Sequence, residues 1–545
     1  MTMADAPTTL SRPGPKFSDA QSCRSWLRGL PLTNVNLSHT EIFTQLTLLQ
    51  RDGQGISPLE RLKILEMLRE PVAFLQGEMA KRYQAKPVPF GHADQAAWDD
   101  VQELWLAMEN GYRHCLSLAD NPELAEHRAL IFQRCLRYVS QRMMEHYRAY
   151  RQLPAELWGQ LHALYAAAEA GGLESHPLKD RLNAYLNAAT CSATYAQALL
   201  TYLANPYQLT PKQLALVTEL LDKWGARCAL VPQPPDNSLP VRIGVDPHGN
   251  TPPVYLAANA TAPRYLDTHR LGASLLKRIQ WLQKGNKPQE VGLSEDCTQP
   301  ACEALLSSLF QLWCKGRPRR AMQRRKGVPK AEICYGFETI FFHLAGHPFT
   351  APKAGHFYGV REMEDLRLFG QASSRAPEAV EVKEGDFPVE VWDIRDESAQ
   401  GFGLERLPGK GAPILHYQLL AIKPFDSDHF VLGHIRWLTF DAENSLQMGI
   451  TLLPGIPVPV SVSAIRNERP NQPAPRTEPA FLLPGVAALK EPPSLVVPTG
   501  FYRADSPLTM ASPDGSQSVR MINLLEKGGD FDRVSFAVEA APPKP

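Results

Sequence analysis

Lys315-Gly316-Arg317-Pro318-Arg319-Arg320-Ala321-Met322-Gln323-Arg324-Arg325-Lys326-Gly327-Val328-Pro329-Lys330 holds eight basic residues and no acidic one. The 545-residue chain as a whole balances 57 basic against 57 acidic residues, so this run is a local device and not a sign of general polyanion binding. Within it Arg320 and Arg324 form an Arg-x-x-x-Arg pair flanked by Arg319 and Arg325.

Downstream of the run the sequence becomes β in character. Ile333, Tyr335, Phe337 and Thr339 alternate with Cys334, Gly336, Glu338 and Ile340, which predicts one strand from Ala331 to His343. Residues 346–387 interrupt the pattern, with a short helix expected near Arg361–Phe369. Strands then resume at Val389–Ile394, Gly401–Glu405, His416–Ile422, Phe430–Trp437, Leu446–Leu452 and Val458–Ala464. Six or seven short antiparallel strands with tight turns fit a small closed barrel. A Pro-rich linker, Glu468–Glu478, precedes two or three further hairpins between Phe481 and Val538, expected to pack on the barrel or extend it.

Upstream, residues 21–228 read as eight to ten helices. Ser57-Pro58 and Thr210-Pro211 are helix starts, and Trp158, Leu161, Tyr165 and Ala168 recur at helical spacing. No 34-residue period appears, so a solenoid-like array or an irregular bundle is expected rather than a formal repeat. After Val231-Pro-Gln-Pro-Pro235, Val241–Asp246 and Pro253–Leu256 form a hairpin, followed by helices near 267–283 and 299–314. The expected fold is multidomain α+β, with an all-α N-terminal part, then an antiparallel β-barrel with a C-terminal β extension. The boundaries read as 1–20 disordered lead, 21–230 helical domain, 231–314 α/β joint, 315–467 barrel domain, and 468–545 extension and tail.

An Arg-x-x-x-Arg leading into a β-domain, followed by Asp396-Glu-Ser398-Ala-Gln-Gly401, resembles the cyclic di-GMP site of PilZ domains. The later Gly433-His-Ile-Arg-Trp437 and the Gly449-centred strand look like that family's closing strands. The resemblance covers about 317–465 and implies a six-stranded PilZ-type barrel. The helical half and the C-terminal segment are similar, more loosely, to long cytoplasmic proteobacterial members. Arg324 and Asp396 stand 72 positions apart, more than in compact members, so residues 346–387 have to loop clear of the site.

The chemistry of such a ligand accounts for the residue types. A guanidinium can meet guanine O6 and N7 with two parallel hydrogen bonds, and a second can stack on the base plane. Lysine supplies the charge but neither the fork nor the flat face. On this resemblance Arg320 and Arg324 hold base and phosphate, Asp396 accepts from the guanine edge, and Ser398 donates to a phosphate oxygen. Gly401 permits close backbone approach, and Arg319 and Arg325 assist. The implied protein is a non-enzymatic receptor with no cofactor besides its ligand. Ligand capture would rearrange the helical and β domains, and a protein partner would dock on the helical domain. The competing reading is a helical interaction scaffold whose barrel has lost its ligand.

Other classes find less support. The basic run lacks interleaved aromatics and a basic domain around it, against nucleic acid. No nucleophile elbow, Walker loop or zinc spacing is present. Glu338, His343 and His347 do not make a metal site if they alternate along a strand. No stretch reaches eighteen apolar residues, so no membrane-spanning helix is expected, and the Pro/Thr/Ala-rich start is no signal peptide. Nine scattered cysteines without a CxxC pair read as reduced thiols in a cytoplasmic protein.

Overall fold

The computed structural model describes residues 14–118, 121–183, 185–235, 241–257, 259–294, 297–317, 330–351, 385–409, 411–464, 477–512 and 515–539. The chain divides into two units, residues 1–320 and 321–545. The fold class is multidomain α+β, helical first and then antiparallel β, in agreement with the sequence.

In the first unit the expected helix starts are present. Helices α1 (Ala20–Arg28), α2 (Val35–Asp52), α3 (Pro58–Ala80), α4 (His92–Ser117), α5 (Arg128–Arg148), α6 (Ala155–Ala170), α7 (Cys191–Leu203) and α8 (Pro211–Trp224) follow one another. Ser57 caps α3 by accepting from Glu60 N–H, and Thr210 opens α8 with a reciprocal capping box through Gln213. The short strands β1 (Leu178–Lys179) and β2 (Ala188–Ala189) pair before α7. Beyond α8, β3 (Ala229–Val231), β4 (Arg242–Val245), β5 (Val254–Leu256) and β6 (Arg264–Asp267) make a sheet in the order β3-β6-β4-β5. It includes the hairpin expected across 247–250. Then come α9 (His269–Gln283) and α10 (Ala301–Phe310). Sheet and late helices share one apolar core with α1–α8, running from Phe17 to Cys314. Trp313 is fully buried there, and its indole N–H donates to Leu200 O of α7 at 2.9 Å.

The cysteines depart from expectation at one pair. Cys297 and Cys302 form a disulfide, their Cα atoms 5.3 Å apart across the turn before α10. The reading of all nine as free thiols is corrected to seven, each buried.

In the second unit β7 (Lys330–Tyr335) is shorter than expected. Gly336 takes φ 84°, a left-handed geometry that ends the strand, and α11 (Phe337–Ala345) follows. The predicted strand to His343 is therefore wrong beyond Tyr335. Phe337, Ile340, Phe341 and Leu344 recur at helical spacing and pack into one cluster. Both histidines face backbone carbonyls: His343 Nε2 on α11 lies 3.1 Å from Phe387 O, and His347 Nδ1 just beyond the helix lies 3.0 Å from Pro348 O. No metal-holding group of side chains occurs among the described residues. The helix expected near 361–369 lies outside the described residues.

Strands β8 (Glu390–Ser398), β9 (Gly401–Arg406), β10 (Leu419–Pro424), β11 (Val431–Phe440) and β12 (Leu446–Leu452) close a barrel with β7 in the order β10-β11-β12-β9-β8-β7. Strand β13 (Val458–Ala464), expected in this barrel, belongs to the next one. With β14 (Thr477–Leu483), β15 (Ser494–Pro498), β16 (Pro507–Ser512), β17 (Gly515–Lys527) and β18 (Phe531–Val538) it closes a second six-stranded barrel. The C-terminal extension is thus a barrel in its own right. Of the expected linker, residues 468–476 lie outside the described residues, and Thr477 and Glu478 already belong to β14.

The two barrels share a core. Leu419, Leu432 and Cys334 of the first meet Phe481, Val496 and Phe531 of the second, and Phe337 of α11 stacks on Phe481 at 5.4 Å. A polar edge lies beside it: Leu419 N–H donates to the Asp530 carboxylate at 2.8 Å, and His434 lies 3.2 Å from Glu526. Burial lifts the Asp530 carboxyl to about 6, over the opposing effect of that Leu419 bond. A carboxyl with a folded value above its unfolded 3.8 stabilises the fold at low pH, and that contribution is lost as pH rises through about 6. His416 and His434, both lowered by burial, act in the opposite sense over a similar range. The expected result is therefore a difference. Asp530→Asn gains stability relative to the wild type between about pH 4 and pH 7, and urea unfolding at several pH values measures it.

Candidate ligand-binding face

In β8, Trp392 and Ile394 are buried inside the barrel, while Asp393 and Arg395 face out. A bulge between Ile394 and Asp396 then shifts the register, and Asp396 pairs with Gly403 of β9. Gly403 pairs with Gly449 of β12, and Gly449 with Trp437 of β11. One row across four strands thus runs Asp396, Gly403, Gly449, Trp437. Its centre has no side chains. The Trp437 indole lies over Gly449, whose Cβ, if present, would sit 1.9 Å from the indole nitrogen. This accounts for a glycine facing the Trp of the Gly-x-x-Arg-Trp stretch.

The next turn along carries Ser398 and Gly401, paired across the β8–β9 hairpin. Ser398 Oγ donates to Gly401 O at 3.2 Å and accepts from Gln400 N–H at 3.4 Å. Gly401 lies hard against β12: a Cβ there would fall 1.9 Å from Ile450 O. Leu452 N–H donates to Gln400 O at 2.9 Å and ties the hairpin down. Asp396, Ser398 and Gly401 therefore meet at one hairpin, as their spacing predicts.

On the other side of Asp396 is a charged row. Lys330 pairs with Asp393, Asp393 with Glu405, and Glu405 with Gln447. Glu405 is engaged by Arg395 with two bonds, 2.7 and 2.9 Å. A cavity of about 390 Å³ adjoins this row, walled by Lys330, Glu390, Asp393 and Arg406. Arg406 is buried and bonds Glu390 at 2.8 Å.

Arg319, Arg320, Arg324 and Arg325 lie outside the described residues, so three of the seven candidate residues have a described position. Sequence reasoning missed Gly403 and the Lys330–Asp393 pairing. Gly401-Phe402-Gly403 carried a signal, because two glycines at strand spacing leave one face of β9 bare.

By fold, this is a helical unit followed by two β-barrels, and its outer segments match the domains of cyclic di-GMP receptors. Residues 21–235 match the family model described as "Cyclic-di-GMP receptor FimW, N-terminal domain", and residues 463–538 match "FimW C-terminal beta-barrel domain". The second match coincides with the second barrel. The chain is similar over nearly its whole length to the Cyclic-di-GMP receptor FimW of Pseudomonas aeruginosa, 21% identical over 528 residues, covering 88% of this chain and 84% of that one. A solved structure titled "MrkH, A novel c-di-GMP dependence transcription regulatory factor" aligns with 41% of this chain and 91% of its own. At 8% identity and a TM-score of 0.12 it carries no argument.

Proposed function

We propose that this chain is a non-enzymatic cyclic di-GMP receptor that binds its ligand on the outer face of the first barrel, a PilZ-type site. Arg320 and Arg324 grip base and phosphate, Asp396 accepts from guanine N1 and N2, and Ser398 donates to a phosphate oxygen. Arg319 and Arg325 add charge. Capture changes the relation between the helical and β parts and passes that change to a protein partner held by the helical unit.

The observation that carries this reading is the direction of the β7–β8 ladder. Lys330 opposes Asp393 and Ile333 opposes Glu390, so each step back from Lys330 is a step forward along β8. Asp396 and Ser398 therefore lie beyond Asp393, on the side of β8 away from the partner of Ile333. Arg324 is six positions before Lys330, a reach of up to about 20 Å, whereas Asp396 is three positions, roughly 10 Å, beyond Asp393. The side-chain-free Gly403 pairs with Asp396, and the similarity to a cyclic di-GMP receptor supports the choice of ligand.

Asp396→Asn replaces an acceptor by a donor where the guanine edge needs acceptors. Loss of a charge-assisted hydrogen bond costs about 1.5–3 kcal/mol, so affinity is expected to fall about 10- to 100-fold with the melting temperature unchanged. Calorimetric titration of the full chain measures this. Wild-type protein that gives no heat would instead favour a helical scaffold with a ligand-free barrel.

A further inference from the structure

Two arginines in the helical unit are buried with more charge around them than packing needs. Arg134 on α5 bonds Glu66 through Nε at 2.8 Å and Nη2 at 2.9 Å. Arg69 on α3 bonds the fully buried Asp180 at 2.8 Å, and Arg134 lies 3.3 Å from the same carboxylate. Glu66 also accepts from the Tyr112 hydroxyl at 2.7 Å. Two cations and two carboxylates thus lock one another as a rigid, nearly neutral base. One donor is left over: the buried Nε of Arg69 has no hydrogen-bond partner among the described residues.

This base is the floor of an open cup of about 510 Å³, within the usual range for a binding pocket. Arg24 of α1, Lys179 of β1 and Arg181 stand around it with Glu70, so above the nearly neutral base the wall holds three basic side chains against one acidic one. Arg181 is within 3.7 Å of Glu70, both of them well exposed. In a chain of zero net charge such a surplus is local, and it selects anions. The rest of the wall is aliphatic: Leu27, Met67 and Leu182. It offers no aromatic face for a nucleobase, unlike sites that read bases by stacking. The mouth is open, as for a side chain presented by another macromolecule rather than an enclosed small ligand.

We infer that this cup docks an acidic peptide segment of a protein partner, with carboxylates on the arginine and lysine rim and an aliphatic side chain against Leu27, Met67 and Leu182. The inference deepens the proposal of a partner on the helical unit and is independent of the barrel's ligand. A fluorescein-labelled peptide Glu-Asp-Leu-Glu-Asp-Leu-Glu, titrated at low salt with the full chain and followed by anisotropy, tests it. Saturable binding is expected, weakened at least about tenfold by Lys179→Glu with Arg181→Glu, both exposed positions outside the core. Cyclic di-GMP titration of the same variant reports on the barrel and is expected to match the wild type, so the two proposals fail separately. No saturable change with wild-type protein, equal affinity in the charge-reversed variant, or equal binding of the Gln/Asn counterpart peptide would each overturn the inference.

Discussion

Alanine at both Arg320 and Arg324 is expected to weaken cyclic di-GMP binding by about 100- to 10,000-fold, the largest effect of any change outside the core. In the proposed site each guanidinium would make charge-assisted bonds worth about 1.5–3 kcal/mol, and two such losses together approach about 3–6 kcal/mol. Lysine at the same positions is expected to restore only part of this, because an ammonium keeps the charge but loses the fork and the stacking plane. Calorimetry on the double alanine and double lysine variants, alongside thermal unfolding, separates lost contacts from lost fold. Equal affinity in wild type and double alanine would remove the arginine grip from the account.

Gly401→Ala is expected to be the most damaging single change in the first barrel. Its methyl carbon would stand 1.9 Å from Ile450 O, 3.0 Å from Ile450 C and 3.3 Å from Thr451 Cα, all backbone atoms of a neighbouring strand. No side chain can swing aside to relieve this. The hairpin must lift from β12, breaking the Leu452 N–H to Gln400 O bond and moving Ser398 with it. Overpacking of this kind costs about 1–3 kcal/mol, and more where backbone has to move. Thermal unfolding is expected to show a drop of several degrees, with binding lost in parallel. Ser398→Ala, which removes one hydroxyl, is the comparison: near-native stability with weakened binding.

These two predictions draw on different kinds of legibility. The helical unit was readable because its signals are local: Ser57-Pro58 and Thr210-Pro211 cap real helices, and the spacing of Trp158 to Ala168 falls on α6. The Asp396–Gly401 hairpin was readable for the same reason, since turn and strand pairing lie within six residues. The strand predicted to His343 failed because alternation and helical spacing coincide over so short a run, and Gly336 decides between them. Strand β13 was assigned to the wrong barrel because membership rests on distant partners. Val460 pairs with Ala480 and Val462 with Met510, and no local pattern encodes either. The Asp396–Gly403–Gly449–Trp437 row was hidden for a related reason, since it exists only once four strands are in register and a bulge has turned Asp396 outward. The Cys297–Cys302 pair shows a further limit: an odd cysteine count says little about one close pair held by a turn.

Hydrogen exchange of the full chain with and without cyclic di-GMP, read by mass spectrometry, tests the location of the site most directly. Slowed exchange is expected in peptides spanning 317–330 and 396–403, where the arginine segment and the Asp-Ser-Gly hairpin would close on the nucleotide. Protection confined to other regions, or none at saturating ligand, would contradict the account.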